Sequence, residues 1–283
     1  MIEEILIFGT VQGALLALFA LGFSLVYGVG GVLNLSHGAF FVIAVYVFYW
    51  TIPLLGVAIS AALALIAVVA VGAATYLALI KPLQESHIGV VLVTFALAFF
   101  IEQFVKVVGD SLWHYIPPYI PLWVEPLGVR IRAQEILLVV GSLILVTVVA
   151  LFISKSRIGK SIRAVSQDAE AAKLMGINTD FVLMTSVMLS ALLVGFAAIL
   201  FGPGSSIAPH LGWGYLLSAF AVTIFGGMGS IPGSILGAFI MGYAGEFTEI
   251  LISASFSEVV PIVVILVMLL VRPQGLLGKK ELQ

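Results

Sequence analysis

Few side chains in this sequence could carry out covalent chemistry. The chain has four histidines and no cysteine, and its only aspartates are Asp110, Asp168 and Asp180. The spacing His-Glu-x-x-His, which places two zinc ligands and a general base on one helix face, does not occur. Disulfides, thiolate metal sites and cysteine nucleophiles are excluded, and zinc and aspartyl proteases are disfavoured.

One triplet resembles the end of a phosphate-binding loop. Gly159, Lys160 and Ser161 would close the pattern G-x-x-x-x-G-K-S, but Ser154 stands where the first glycine is required. No predicted strand precedes the triplet. We therefore expect this chain to have no nucleotide site and to bind no metal or cofactor.

Four glutamates fall in or near apolar stretches, where a charge is costly and is retained mainly for function. Glu102 and Lys106 are spaced as neighbours on one helix face and predict an ion pair at the rim of a helix. Glu246 and Glu249 also share a helix face, and Glu258 follows them. Glu246 is the best candidate for a functional carboxylate.

The surroundings of these residues are those of a membrane protein. The chain is 62% hydrophobic and 9% charged, whereas soluble domains are about 25% charged. Residues 5–80 and 181–245 contain no Asp, Glu, Lys or Arg, which excludes a soluble surface. Net charge is −2 without a basic stripe, so nucleic acid is not an expected partner.

A bilayer core needs about 20 apolar residues per helical span. The apolar runs are long and continuous, unlike the alternating strands of a membrane barrel, which are about ten residues long. We predict an all-α polytopic membrane protein, a bundle of about eight to ten transmembrane helices. The predicted spans are residues 5–27, 38–56, 57–80, 88–108, 135–154, 181–201, 211–228, 232–252 and 258–272.

Basic residues predict the orientation, because cytoplasmic loops are enriched in Lys and Arg. Nine of the twelve basic residues fall in three regions that the spans place on one face. This predicts that the loop 154–180 and the C-terminus are cytoplasmic and that residues 109–134 form an external loop. The nine are Lys81, Lys155, Arg157, Lys160, Arg163, Lys173, Arg272, Lys279 and Lys280.

The loop 154–180 predicts one short amphipathic helix over Ser161–Met175. Its apolar residues Ile162, Val165, Ala169, Ala172 and Leu174 or Met175 lie near helical spacing. Gly176 and Asn178 are predicted stop signals. The segment is either a solvated connector or a docking element for a soluble partner.

Two glycine-rich segments predict broken or tightly packed helices, because irregular backbone at membrane depth survives only when packed in protein or lining a cavity. Residues 28–38 include Asn34, Ser36, His37 and Gly38. Residues 226–237 include Gly226, Gly227, Gly229, Pro232 and Gly233. The alternative is that these glycines are ordinary helix-packing surface.

Three runs of residues give the sequence a family resemblance. They are Asn34-Leu35-Ser36-His37-Gly38-Ala39, Phe225 to Gly233 with Gly237 following, and Arg272 to Gly278. With them, essentially the whole chain resembles the branched-chain amino acid ABC transporter permeases. The loop fits this resemblance through Gly159, Arg163, Ala164, Glu170, Ala171, Ala172 and Gly176, although the Ile and Leu-Pro that continue the longer importer loop motif are absent.

The resemblance implies a single transmembrane permease domain, residues 1–283, in the cell inner membrane. It implies a second, usually non-identical permease subunit, two cytoplasmic ATPases that bind ATP and Mg, and an extracytoplasmic solute-binding protein. The loop would be the coupling helix, with Arg163 and Glu170 at the ATPase contact. The chain would be a transport subunit and not an enzyme.

A second hypothesis concerns neutral polar residues, which would line or brace a path for a zwitterion. The alternative is that they satisfy hydrogen bonds between helices. They are Asn34, Ser36, His37, Thr94 and Ser218.

The substrate stays open. Branched-chain amino acids are favoured, and urea, short amides and other polar amino acids are alternatives. A self-sufficient channel or secondary carrier for a small neutral solute is the alternative class.

Overall fold

The computed structural model describes residues 1–109 and 112–278, so that Asp110, Lys279 and Lys280 lie outside it. Most of the described chain is helical. The helices are α1 (Ile2–Gly30), α2 (His37–Thr75), α3 (Lys81–Leu83), α4 (His87–Gly109), α5 (Ala133–Lys155), α6 (Arg157–Val165), α7 (Ala169–Leu174), α8 (Thr179–Phe201), α9 (Leu211–Gly226), α10 (Ile231–Leu251), α11 (Ala254–Ser257) and α12 (Val260–Val271), with a π-helical turn, Tyr76–Ile80, after α2.

These helices confirm the predicted all-α polytopic membrane fold. Within the described residues, six helical segments are long and apolar enough to cross a membrane, and α9 is a shorter apolar helix. One of the six, His37–Leu83, covers two predicted spans. Each of the other predicted spans corresponds to a helix whose ends lie within a few residues of the prediction, because long apolar runs define membrane helices well.

The chain reverses direction within α2 at Gly56, whose φ of 72° and ψ of 172° are not helical. Before this residue, α2 runs parallel to α8, since His37 contacts Ser190 and Val45 lies against Gly202. After it, the direction is opposite. Val68 lies against Gly195, and Lys81 forms an ion pair with Asp180 at the start of α8. Glycine fits this position because it adopts positive φ without steric cost.

The four strands within residues 1–109 and 112–278 are each two residues long and lie at one end of the bundle. β1 (His114–Tyr115) pairs antiparallel with β4 (Ser206–Ile207), and β2 (Trp123–Val124) pairs antiparallel with β3 (Ile131–Arg132). We call this the strand end, residues 112–132 and 202–210. The opposite end carries α6, α7 and the C-terminal segment 272–278, and we call it the α6 end.

The first predicted helix break lies at residues 31–36. Gly31, at φ 61°, ends α1 and donates its amide to the Tyr27 carbonyl, a left-handed cap of the kind glycine favours. The chain then turns back into the bundle. Helix α2 begins beside Ser190 in the middle of α8, so residues 32–36 are irregular backbone that is mostly buried among neighbouring helices, while Gly31 is exposed.

The second break, residues 227–230, lies in a region of close backbone packing at the α6 end. A Cβ on Gly233 would overlap the carbonyl of Gly226, and a Cβ on Gly28 would lie 3.2 Å from the Cα of Gly229. The two glycine-rich segments, 28–38 and 226–237, therefore contact each other. Pro232 lies in the first turn of α10, where a missing amide hydrogen has no cost. Gly227 and Gly229 have positive φ, at 104° and 79°.

The C-terminal segment completes this packing. The Leu276 amide donates to the Phe225 carbonyl at 2.8 Å, and the Leu277 amide donates to the Gly226 carbonyl at 2.9 Å. These carbonyls belong to the last turn of α9, where carbonyl oxygens have no amide donor within their own helix. We call this cluster the glycine junction; its members are Gly28, Gly226, Gly227, Gly229, Gly233 and Gly275.

The loop 154–180 corrects the prediction of one helix over Ser161–Met175. Two helices, α6 and α7, are separated by Ser166–Asp168. The Asp168 carboxylate accepts the Ala171 amide at 2.9 Å and so begins a new helix. The prediction that Asn178 ends a helix is also wrong, because its side chain accepts the Phe181 amide at 3.0 Å and so begins α8. Gly176, at φ 82°, does terminate the preceding turn.

The glycine junction predicts unequal effects of two alanine substitutions. Gly233→Ala should lower the free energy of unfolding by about 1–3 kcal/mol, because the new methyl overlaps the Gly226 carbonyl. Gly214→Ala in α9 is the control, since a Cβ there meets open space. Thermal unfolding of the detergent-solubilised protein measures both, and equal midpoints would contradict the close contact.

Candidate functional site

Neutral polar side chains in and beside the first break accept hydrogen bonds from its irregular backbone. The Asn34 side-chain oxygen accepts the Ser36 amide at 3.1 Å and the Ser36 hydroxyl at 2.6 Å. The Leu35 amide donates to the Thr94 hydroxyl oxygen of α4 at 3.1 Å. Asn34, Ser36 and Thr94 are buried. These side chains supply hydrogen bonds that a regular helix would have made internally.

His37 links three helices at the start of α2. Its Nε2 lies 2.9 Å from the Phe19 carbonyl of α1, and its Nδ1 lies 3.0 Å from the Ser190 hydroxyl of α8. Because a carbonyl only accepts, Nε2 carries the hydrogen and the neutral ring accepts the Ser190 hydroxyl at Nδ1. The adjacent Gly38 lies directly against the Gly212 backbone of α9.

The structure thus gives the predicted polar residues two different locations. Asn34, Ser36, His37 and Thr94 brace the helices around the first break and are at most 2% exposed. Ser218 instead lines an open cavity. In this conformation the bracing role fits the first four residues, and the lining role fits Ser218.

That open cavity has a volume of about 800 Å³ and lies between α1, α9, α10, α11 and α12. We call it the lateral cavity. Its polar lining includes Ser218 near the middle of α9, Gln12 of α1, and the carboxylates of Glu246 and Glu258. Glu246, the carboxylate singled out in the sequence, is half-buried in its wall. A cavity of this size and polarity accommodates a small polar solute.

The predicted Glu102–Lys106 ion pair is present. The Glu102 carboxylate also accepts a hydrogen bond from the Trp213 indole of α9. Glu102 is 8% exposed, and its bond to Trp213 fixes α4 to α9, so the carboxylate is a structural feature of the helix rim.

At the α6 end, Gly159 and Arg163 form an elbow between α5 and α6. A Cβ on Gly159 would overlap the Ile153 backbone, and the Arg163 guanidinium donates to the Ile153 carbonyl. A cation is favourable at this carboxyl end of α5. Ala164 is partly buried against the core. The structure therefore directs Arg163 into the protein, where it fixes the position of α6.

The second half of the loop faces outward. Glu170 and Ala171 are exposed, while Ala172 is buried and attaches α7 to the bundle. Helical spacing predicted that Leu174 or Met175 lies on the apolar face of the helix, but these two residues are 89% and 83% exposed. The sequence contained a signal for this exposed tip. Asp168 and Gly176 are helix start and stop signals that bound a short separate helix, so the apolar spacing counted over Ser161–Met175 does not apply to it. We call Glu170, Ala171, Leu174 and Met175 the α7 tip.

The His37 network predicts that two equally buried serines differ in importance. Ser190→Ala should lower the free energy of unfolding by about 1–3 kcal/mol, because it leaves the buried His37 Nδ1 without a donor. Ser186→Ala, one turn earlier, removes only a bond to the Val182 carbonyl of its own helix and should change little. Thermal unfolding compares them; equal losses would contradict the network.

Comparisons with known proteins agree with this architecture. The family profile described as "Branched-chain amino acid transport system / permease component" matches residues 5–270. The high-affinity branched-chain amino acid transport system permease protein BraD of Pseudomonas aeruginosa is 30% identical over 98% of this chain and 96% of its own length. LivH of Escherichia coli K12, a permease protein of the same kind of system, is 28% identical over 97% of this chain and 95% of its own length.

Two further likenesses are more distant. The ribose import permease protein RbsC of Escherichia coli K12 is 33% identical over 41% of this chain and 39% of its own length. A solved structure, PsaBC from Streptococcus pneumoniae in complex with Fab, superposes with a TM-score of 0.52 at 15% identity. It covers 96% of this chain and 93% of that chain and shares the fold. The profile match and the identity to BraD together show that this chain belongs to the family of permease components of branched-chain amino acid transport systems.

Proposed function

We propose that this chain is a permease subunit of an ATP-driven importer of branched-chain amino acids. The family match over residues 5–270 carries this proposal. In this importer, the chain and a second, non-identical permease subunit each contribute a single transmembrane domain, and together they form the translocation path. Two cytoplasmic ATPases bind ATP and Mg, and an extracytoplasmic binding protein delivers the solute.

The contacts at the α6 end support a common cytoplasmic location for the loop and the C-terminus. Lys81 pairs with Asp180 in the first turn of α8, close in sequence to α7. The C-terminal segment binds Phe225 and Gly226 at the glycine junction. Arg163 and Gly229 line one small cavity of about 180 Å³ between α6 and this junction. Seven of the ten basic residues that the structure describes therefore lie at this end, which the positive-inside rule favours as the cytoplasmic one.

Energy would enter through the α7 tip. Its apolar side chains Leu174 and Met175 are almost fully exposed, and Lys173 and Glu170 flank them. Exposed apolar residues with a polar rim are typical of a protein contact. Movement of α7 would be passed to α6, whose elbow with α5 is fixed by Arg163. The small cavity between α6 and the glycine junction gives α6 room to move.

The solute path would involve the lateral cavity. Ser218 and Gln12 offer neutral hydrogen-bonding groups, and Glu246 offers an acceptor for an ammonium group. An ATP-driven change between two states would alter access to this cavity, because a ligand shifts a conformational equilibrium only by differential binding to the two states.

Reconstitution tests the proposed function. The chain, its neighbouring permease and ATPase subunits, and the binding protein are placed in proteoliposomes, and ATP hydrolysis is measured with leucine, isoleucine, valine, urea and acetamide. We expect the three branched-chain amino acids to stimulate hydrolysis and uptake. Stimulation by urea or acetamide instead, or uptake that persists without the ATPases, would contradict the proposal.

The α7 tip predicts a coupling defect. Changing Leu174→Ser together with Met175→Ser should reduce co-purification of the ATPases and solute-stimulated hydrolysis, because the apolar contact is lost while membrane insertion is unaffected. Leu122→Ser is the matched control, an exposed leucine at the strand end. Normal coupling in the double variant would exclude α7 as the contact.

A further inference from the structure

A second, smaller cavity adjoins the lateral cavity at the strand end. Its volume is about 170 Å³, and it lies between α1, α5, α10 and the chain that follows α8. Glu246 lines both cavities. We call the smaller one the mixed-charge pocket, because Arg132 lines it together with Glu135 and Glu246.

The arginine in this pocket is held in place by the surrounding structure. Its guanidinium donates to the Gly204 carbonyl and lies 5.4 Å from the Trp123 ring centroid. A guanidinium has five N–H donors, so the single bond to Gly204 leaves donors for another group. Arg132 is thus a positioned anion-binding group rather than a mobile surface side chain.

Two buried oxygen atoms beside Arg132 have no hydrogen-bond partner in the described structure. Gln134 is 3% exposed; its Nε2 donates to the Leu200 carbonyl at 3.0 Å, but its Oε1 has no donor. The Glu135 Oε2 is likewise buried without a partner. Buried polar atoms in folded proteins are nearly always paired. Both residues line the pocket, but the two oxygens themselves are covered by protein, so each would have to turn toward the pocket to accept from a ligand with N–H donors.

Most of the rest of the pocket wall is apolar, apart from Gln12 and Ser205. Phe8 and Leu15 of α1, Leu138 of α5, and Leu200 and Phe201 of α8 line it. An apolar cavity of about 150 Å³ holds a benzene molecule, so this volume suits a ligand of comparable size. The pocket therefore offers a cationic group, anionic groups and an aliphatic surface within one small volume.

We propose that the mixed-charge pocket binds an aliphatic α-amino acid as its zwitterion. The carboxylate would pair with Arg132, the ammonium would donate to Glu246, Glu135 and the Gln134 oxygen, and the side chain would pack on the apolar wall. The choice of an aliphatic amino acid rests on the proposed function. A bare metal ion fits this lining poorly, because the guanidinium repels it and the wall is largely apolar.

This assignment gives the permease its own recognition of the solute, separate from that of the binding protein. Because Glu246 lines both cavities, the pocket would be a binding site for the solute next to the lateral cavity. The same geometry explains why a carboxylate is kept in a largely apolar helix.

Equilibrium binding without ATP and without the binding protein tests the proposal. The complete permease–ATPase complex in lipid nanodiscs is incubated with tritiated L-leucine, and 4-methylpentanoate and 3-methylbutylamine compete for the site. These compounds lack the ammonium and the carboxylate, respectively. We expect leucine to bind saturably. Each analogue should bind at least about tenfold more weakly than leucine, since hydrogen bonds to charged groups contribute at least this factor.

Variants locate the site. Glu246→Gln and Arg132→Gln should each weaken leucine binding about tenfold or more, and Leu138→Trp should abolish it by filling the pocket. Glu125→Gln, an exposed carboxylate in the same end, is the matched control and should bind normally. Thermal midpoints confirm that each variant is folded.

Three outcomes would overturn the pocket: no saturable leucine binding by the unaltered complex, an affinity for either analogue equal to that for leucine, or full affinity in folded Glu246→Gln, Arg132→Gln and Leu138→Trp variants. Failure of the pocket is separable from failure of the proposed function. Leucine-stimulated ATP hydrolysis without direct binding would refute the pocket alone, whereas direct binding without ATP-driven uptake would refute only the importer.

Discussion

The whole structure depends on satisfying backbone polar groups where its helices are interrupted. Val32, Asn34 and Ser36 of the first break and Gly227 of the second are buried, so their free amides and carbonyls need partners from the protein. The Asn34 and Thr94 side chains serve the first break. Beside the second break, the C-terminal segment binds the end of α9 through the amides of Leu276 and Leu277. Gly28, in the last turn of α1, lies against Gly229 of the second break.

This arrangement connects the two ends of the molecule. Helices α1 and α10 both reach the glycine junction at one end and the mixed-charge pocket at the other. They pack closely along their length, since Gly242 lies against the backbone of Gly9 and Gly13. Such a pair moves as a unit, because small residues at the interface let the backbones interlock. A displacement of α6 beside the junction would therefore be transmitted to the cavities near Glu246.

The sequence predicts the spans better than it predicts the contacts between them. Long uncharged runs define helices to within about three residues, because the bilayer leaves no other way to satisfy the backbone. The glycine-rich segments were also predictable from composition. That these two segments contact each other, and that the C-terminal run caps α9, depends on residues about 50 to 200 positions apart, for which local periodicity carries no signal. The inward direction of Arg163 depends likewise on the Ile153 carbonyl. Gln134 and Glu135 resemble an ordinary helix start in sequence, and only packing shows that their oxygens are buried without partners.

In the proposed importer, ATP-dependent movement at the α6 end would change access to the cavity lined by Ser218. Because the chain contains no cysteine, Ser218→Cys introduces one unique thiol whose reaction with a membrane-impermeant maleimide can be timed in the complete complex, with the partner subunits freed of cysteine. We expect the rate of labelling to differ several-fold between the nucleotide-free and ATP-trapped states, while Glu125→Cys reacts equally in both. An equal rate at Ser218→Cys in both states of a complex that hydrolyses ATP would contradict this change in access.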